Sequence, residues 1–318
     1  MVKGVSLMCS ARWEYLKNDI PDIVIIALSN LVVSTSHWFE FKKRLGVDNV
    51  DELLDRLSTD QSLCGKIENL FKTKYRDILD YTVKTVGDLR REGIAFIPFN
   101  SPDYPEGLRE YRLKGRLYRP LGLYVKPPIS LKRKFIAVVG TRRCSDWGRE
   151  IARETGRVIA SKGFTLITGL AKCIDASAML GALEVGGLTV GVRPWLKPLT
   201  LPSESKRIIE RYKERVAVIS EHYEKPPIRP KILYYLRNRI IAGMAELVVV
   251  VEARPEGGSM HQITWALKQG KPLAIYEHPD VGSDYYKAYE KYTKYSQTII
   301  LKDIDDLKVH LEAISKTN

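Results

Sequence analysis

Phe135-Ile136-Ala137-Val138-Val139-Gly140-Thr141-Arg142-Arg143-Cys144-Ser145-Asp146-Trp147-Gly148 decides how the rest of the chain is read. Five apolar residues run into a glycine, two arginines follow, and a helix start is expected near Asp146. A short, wholly apolar strand belongs in a parallel sheet covered on both faces. The pattern recurs at 164–168, 188–192, 216–219, 247–251, 272–276 and 298–301. Helical segments fit between most of these runs, at 148–161, 174–185, 231–244 and 259–269. In the first of them Ile151, Thr155, Val158 and Ile159 share a face. Strands alternating with helices predict an α/β fold, a doubly wound, mostly parallel Rossmann-like sheet over residues 135–318. Such sheets bind ligands outside the carboxyl ends of their strands.

Upstream the character changes. Residues 96–134 contain six prolines, which break any long helix. They also carry Arg109, Arg112, Lys114, Arg116, Arg119 and the run Lys132-Arg133-Lys134. This stretch reads as a proline-rich basic connector with one extended piece, Leu121 to Val125. Residues 1–95 read as a small helical domain. Leu53, Leu54 and Leu57 share one face there, and Gly46 is a helix stop. The net charge of +13 is not spread evenly, because residues 1–90 hold 13 Lys+Arg against 13 Asp+Glu. The whole surplus sits in the remainder, as a polyanionic partner would require; a solvated basic coat is the alternative.

Three loops at the predicted carboxyl edge carry the chemistry. In the first, Arg142 and Arg143 stand where a dinucleotide motif would place its second glycine. That argues against NAD and for capture of a phosphate by guanidinium, with Gly140, Thr141 and Ser145 alongside. Two solvated arginines in a surface loop are the alternative. The second loop, Thr168-Gly169-Leu170-Ala171-Lys172-Cys173-Ile174-Asp175, sets Lys172 beside a helix start whose N–H groups favour an anion. Asp175 is read as structural. The third group joins Arg237, Asn238 and Arg239 on a helix to the loop Glu252 to Ser259, where Gly258 precedes Ser259 as a helix N-cap.

Together these loops resemble the DprA/Smf family of DNA-processing proteins. The resemblance rests on Val139-Gly140-Thr141-Arg142 with Ser145 and Gly148; on Thr168 to Lys172 with Ile174, Asp175 and Ala178; on Arg237-Asn238-Arg239-Ile240-Ile241-Ala242-Gly243; and on Glu252-Ala253 with Gly258-Ser259. Asp103-Tyr104-Pro105 with Leu108 is similar to the family's entry segment. The resemblance covers about residues 95–315. It implies single-stranded DNA binding, a homodimer, and hand-over of the strand to a RecA-type recombinase during DNA uptake or recombination. It places DNA contacts on Arg142 and Lys172, and it implies no catalytic activity and no cofactor. The chain departs from the family in three places. Cys173 stands where glycine is usual, Met179 replaces a common histidine, and Arg193 to Pro202 lacks the usual glycine-rich loop.

The runner-up is a nucleotide-binding sensor or a phosphoribohydrolase-like enzyme on the same fold, since Gly257-Gly258-Ser259 faintly resembles P-G-G-x-G-T. Met260-His261-Gln262 stands where that signature continues. A purely structural scaffold is a third reading, and it leaves three basic loops on one edge unexplained. The chain has no G-x-x-x-x-G-K-[ST] loop, G-x-S-x-G elbow or H-E-x-x-H motif. Its five histidines are scattered. Cys9, Cys64, Cys144 and Cys173 lie far apart with no C-x-x-C, so neither a zinc site nor a redox pair is expected. No segment reads as a signal peptide or a membrane span, and the expected location is cytoplasmic.

Overall fold

The computed structural model describes residues 26–31, 35–48, 52–53, 56, 60–109, 112–113, 116–117, 119–296 and 298–316. Leu54 and Leu57 of the expected leucine face lie outside the described residues, as does everything before residue 26. Helices α1 (Thr35–Leu45), α2 (Gln61–Thr73) and α3 (Arg76–Glu92) precede the sheet. Asp60 caps α2 by accepting from the N–H groups of Ser62 and Leu63. Gly93 ends α3 in the left-handed conformation that glycine adopts without strain. Phe41, Phe71 and Tyr75 pack with ring centroids 5.6 to 6.3 Å apart. They belong to the same buried cluster as one face of the sheet.

The chain then alternates through β1 (Ala95–Pro98), the short α4 (Glu106–Arg109), the small ribbon β2 (Arg112–Leu113) and β3 (Arg116–Leu117), and β4 (Gly122–Lys126). From there run β5 (Phe135–Val139), α5 (Asp146–Ser161), β6 (Thr165–Thr168), α6 (Ile174–Glu184), β7 (Thr189–Arg193), α7 (Ser203–Arg211) and β8 (Val216–Ser220). The last elements are α8 (Pro230–Met244), β9 (Ala245–Val250), α9 (Ser259–Lys268), β10 (Leu273–Tyr276), α10 (Asp284–Tyr292), β11 (Thr298–Leu301) and α11 (Ile304–Lys316).

Nine strands form one sheet in the order β1-β4-β8-β7-β6-β5-β9-β10-β11. The seven from β8 to β11 are parallel, and β4 joins β8 antiparallel, as β1 joins β4. The extended piece expected at 121–125 is therefore β4, paired into the sheet rather than standing alone. All five residues of β5 are buried, as its apolar run requires. From β5 the chain winds outward through β6, β7 and β8, then returns to β9 on the other side of β5. That return is the topological switch point, where neighbouring loops diverge and leave a crevice.

Two glycines bring α5 and α6 unusually close. A Cβ on Gly156 would stand 1.9 Å from the Ala178 carbonyl oxygen, and one on Gly181 would stand 1.9 Å from that of Arg153. The helices follow adjacent strands, so their N-termini open side by side at the crevice. Among the described residues no helix is long and apolar enough to cross a membrane.

Candidate phosphate-binding site

A cavity of about 310 Å³ opens at the switch point. Its floor and walls come from the ends of β5, β6 and β9 and from one face of α8. Gly140, Thr141, Arg142 and Arg143 line it from the first loop and Gly169 from the second. Arg237 and Asn238 line it from α8, and Gly258 and Ser259 from the third group. Lys172 lines an adjoining cavity of about 750 Å³, which shares Arg142, Gly169, Arg237, Asn238 and Gly258 with the first.

Ser145 and Arg239 line neither cavity. Ser145 caps α5, its Oγ accepting from the Gly148 N–H at 3.0 Å and donating to the Glu252 carboxylate. Arg239 turns to the opposite side of α8, two residues and therefore about 200° round from Arg237. Its Nη2 donates to Glu221 Oε1 at 2.7 Å. Ser259, read as an N-cap, is instead the first residue of α9 behind Gly258, and its Oγ has no hydrogen-bond partner.

The helix-start amides differ from expectation. The N–H groups of Gly169 and Ala171 donate to Asp175 Oδ2 at 3.0 and 3.2 Å, and that of Cys173 donates to Glu204. In the first loop Ser145 N–H donates to Glu252 at 3.0 Å, and Thr141 N–H to the Glu252 carbonyl. The sequence offered the second loop's amides to an anion; the fold uses those of Gly169, Ala171 and Cys173 to shape its own loops. Asp175 is buried, which pushes its carboxyl pKa up, beyond what the amide of Ala171, the charge of Arg237 and its other hydrogen bonds pull back. Glu252 is fully buried and also meets His278 Nε2 at 3.1 Å. A Cβ on Gly148 would stand 2.3 Å from the Glu252 carboxyl carbon, so only glycine fits over it.

The side chains around the two cavities are largely basic. Arg142, Arg143 and Lys172 are exposed at the mouth, while Arg237 is 7% exposed and Arg193, at the end of β7, 5%. Among the described residues, none of these five nor Arg254 has a carboxylate within ion-pair distance. Burial pushes the Arg237 guanidinium down to about 10 despite the pull of Asp175, and the charges of Arg193 and Arg142 lower it further. Its Nε, with those of Arg193 and Arg254, is buried without an acceptor. Gly169 lets Arg237 lie against the loop, because a Cβ there would stand 1.9 Å from Nη1. Buried, unpaired cations with orphan donors favour an anion, which both restores their solvation and satisfies their N–H groups.

Arg193, Arg254 and Gln262 also face this crevice without having been singled out in the sequence. Arg254 lies over Tyr285 at 5.4 Å, and Gln262 donates from Nε2 to the Asn238 carbonyl, leaving Oε1 without a partner. The cysteines also depart from expectation: Cys144 and Cys173 are disulfide-bonded, Cα atoms 5.9 Å apart across 29 residues of sequence. They are far apart along the chain, but parallel pairing of β5 and β6 puts their two loops side by side. Among the described residues no cluster of His, Cys, Asp or Glu is arranged to hold a metal.

Fold and site define a doubly wound α/β protein with an arginine-lined crevice at its switch point. The profile of the DNA recombination-mediator protein A family matches residues 95–311, and the chain belongs to that family. It is 28% identical to the DNA processing protein DprA of Bacillus subtilis over 224 residues, 70% of this chain and 72% of that one. It is 32% identical to the DprA of Streptococcus pneumoniae over 156 residues, 48% of this chain and 54% of that protein. The X-ray structure of the pneumococcal protein superposes with a TM-score of 0.60 at 21% identity, over 90% of this chain and 92% of that one. The Helicobacter pylori DprA, solved for its single-stranded DNA binding mode, superposes with a TM-score of 0.57 at 20% identity, over 70% and 96%. These likenesses confirm the α/β fold and the expected family.

Proposed function

We propose that the crevice grips the phosphates of single-stranded DNA, with Arg142 and Lys172 at its mouth and Arg237 as its floor. The observation that carries this reading is the convergence of seven cations, Lys231 included, on cavities that two carboxylates line, Asp175 and Glu256, with no ion pair between the two sets among the described residues. A backbone-lined dinucleotide site is disfavoured because the amides of Thr141, Ser145, Gly169 and Ala171 in the first two loops already have partners within the protein. The single-stranded DNA bound by the Helicobacter relative supports the choice of polyanion. As finer points of the same proposal, the protein is a non-catalytic homodimer of the cytoplasm that needs no cofactor and delivers the strand to a RecA-type recombinase. Two linked crevices would hold a flexible strand through avidity. Residues 1–95, 96–134 and 135–318 are proposed as its helical, connecting and DNA-gripping parts.

Titration with single-stranded DNA, duplex DNA and ATP side by side tests the reading. Single-stranded DNA is expected to bind tightest, with affinity falling on a log–log salt plot by about 0.7 per phosphate contacted. A flat salt response, or ATP binding in preference to DNA, overturns it. Light scattering at the DNA-binding concentration tests the dimer.

A further inference from the structure

The larger of the two cavities has a far wall unlike the phosphate crevice. Tyr234, Tyr235 and His261 line it, with Leu201 and Pro202 opposite and Arg193 at its base. A second phosphate would need only cations here. Aromatic rings and apolar side chains instead match a flat, weakly polar group. Arg193 is 5% exposed and fixed in place: one guanidinium nitrogen donates to the Thr200 carbonyl at 2.7 Å and to the Tyr234 hydroxyl at 3.0 Å. Its Nε is buried with no acceptor. A base carbonyl or ring nitrogen would supply one. The wall holds Arg193, Thr200, Leu201 and Pro202, all from the segment that departs from the family pattern, so the subsite is a property of this chain.

Resting on the phosphate reading above, we propose that this cavity is a nucleobase subsite. It receives the base of the nucleotide whose phosphate lies between Arg142 and Arg237, residues that border both cavities. Tyr234 and His261 flank the base, and Arg193 donates to its edge. Tyr234 sits one helical turn before Arg237, so both project from the same face of α8.

The test compares an oligothymidylate with an abasic oligomer of the same length, hence the same phosphates, on the full chain. The parent is expected to bind the thymidylate about tenfold more tightly, the effect of one base against an aromatic platform. Tyr234→Ala is expected to bring thymidylate down to the abasic affinity while leaving the abasic oligomer within about twofold. Should Tyr234→Ala lower the melting temperature, His261→Ala, whose side chain is exposed, carries the same comparison. Arg142→Ala is expected to weaken both oligomers alike. Equal parental affinity for the two oligomers overturns the subsite, as does a variant that weakens both equally. If neither oligomer binds the parent, the phosphate reading itself has failed.

Discussion

Two groups of arginines lie within reach of α5 and are treated in opposite ways. Along the helix, Arg149 pairs with Glu204, Arg153 with Glu184, and Arg157 with both Glu154 and Glu184. At the crevice just beyond its N-terminus, Arg142, Arg193, Arg237 and Arg254 have no carboxylate within pairing distance among the described residues. Acids are not lacking there. Asp175 and Glu252 are both beside the crevice, but their oxygens accept from backbone amides, Thr168, Ser145 and His278. Position in the fold, not arginine content, separates the neutralised surface from the arginines left without an ion pair. The same contrast recurs within α8, where Arg237 faces the cavity and Arg239 meets Glu221.

The contrast can be broken most forcefully at Arg239. Burial pushes the Glu221 carboxyl up, and the charges of Arg239 and His222 more than reverse this, leaving it below the ordinary range. Arg239→Ala strands that carboxylate and is expected to cost about 3 kcal/mol of stability. Chemical unfolding measures it; a loss of DNA affinity with unchanged stability would put Arg239 in the site instead. The reverse experiment adds a further acid among the cations of the crevice. A Cβ at Gly258 meets nothing within 4 Å, so Gly258→Glu is expected to fold normally and lose about a hundredfold in single-stranded DNA affinity. A smaller effect comes from deleting one mouth cation. Arg142→Ala is expected to cost about 2 kcal/mol of binding, and Lys172→Ala about 1 kcal/mol, since lysine is a point charge without the bidentate fork. Arg153→Ala serves as their paired-arginine control, with affinity unchanged.

The smallest effect belongs to the paired surface. Hydrogen bonding by Arg153, with help from Arg157, holds the Glu184 carboxyl below its ordinary range against a smaller burial penalty. Its contribution is present above the unfolded carboxylate pKa of about 4.3 and is lost as pH falls through the lower folded value. Arg153→Ala should therefore narrow the stability gap between neutral and acid solution by less than about 1 kcal/mol, read from urea midpoints. An equal gap in parent and variant would remove Glu184 from the account.

The parallel strands were legible because runs such as Phe135–Val139 are apolar throughout, and Thr298–Leu301 apolar after its first residue, and their bounds coincide with the structure. β1 and β4 were harder, because proline-rich surroundings read as a connector although both strands pair into the sheet. Arg142 and Lys172, which line the cavities, were legible because each lies in a loop between a strand end and the next helix start. Arg193 was missed as the last residue of β7, where the predicted strand stopped one residue short. Tyr234 carried a usable signal, lying three residues before Arg237 on the same helix. The disulfide carried none, since only the pairing of β5 with β6 makes residues 144 and 173 neighbours.

That bond has a mechanical consequence. Cys173 holds φ at 72°, a conformation costly for any residue with a Cβ and natural to glycine. What cysteine offers in exchange is the covalent tie to Cys144, which removes freedom from the intervening chain. Together with the close crossing of α5 and α6, it welds the first two loops into one fixed jaw. The opposing loop, carrying Arg254 and Gly258, has no covalent tie and reaches the first loop through hydrogen bonds alone, Arg254 donating to the Tyr285 hydroxyl and that hydroxyl to the Arg143 carbonyl. A thiol reductant in the buffer is expected to loosen the fixed jaw without touching a single charge.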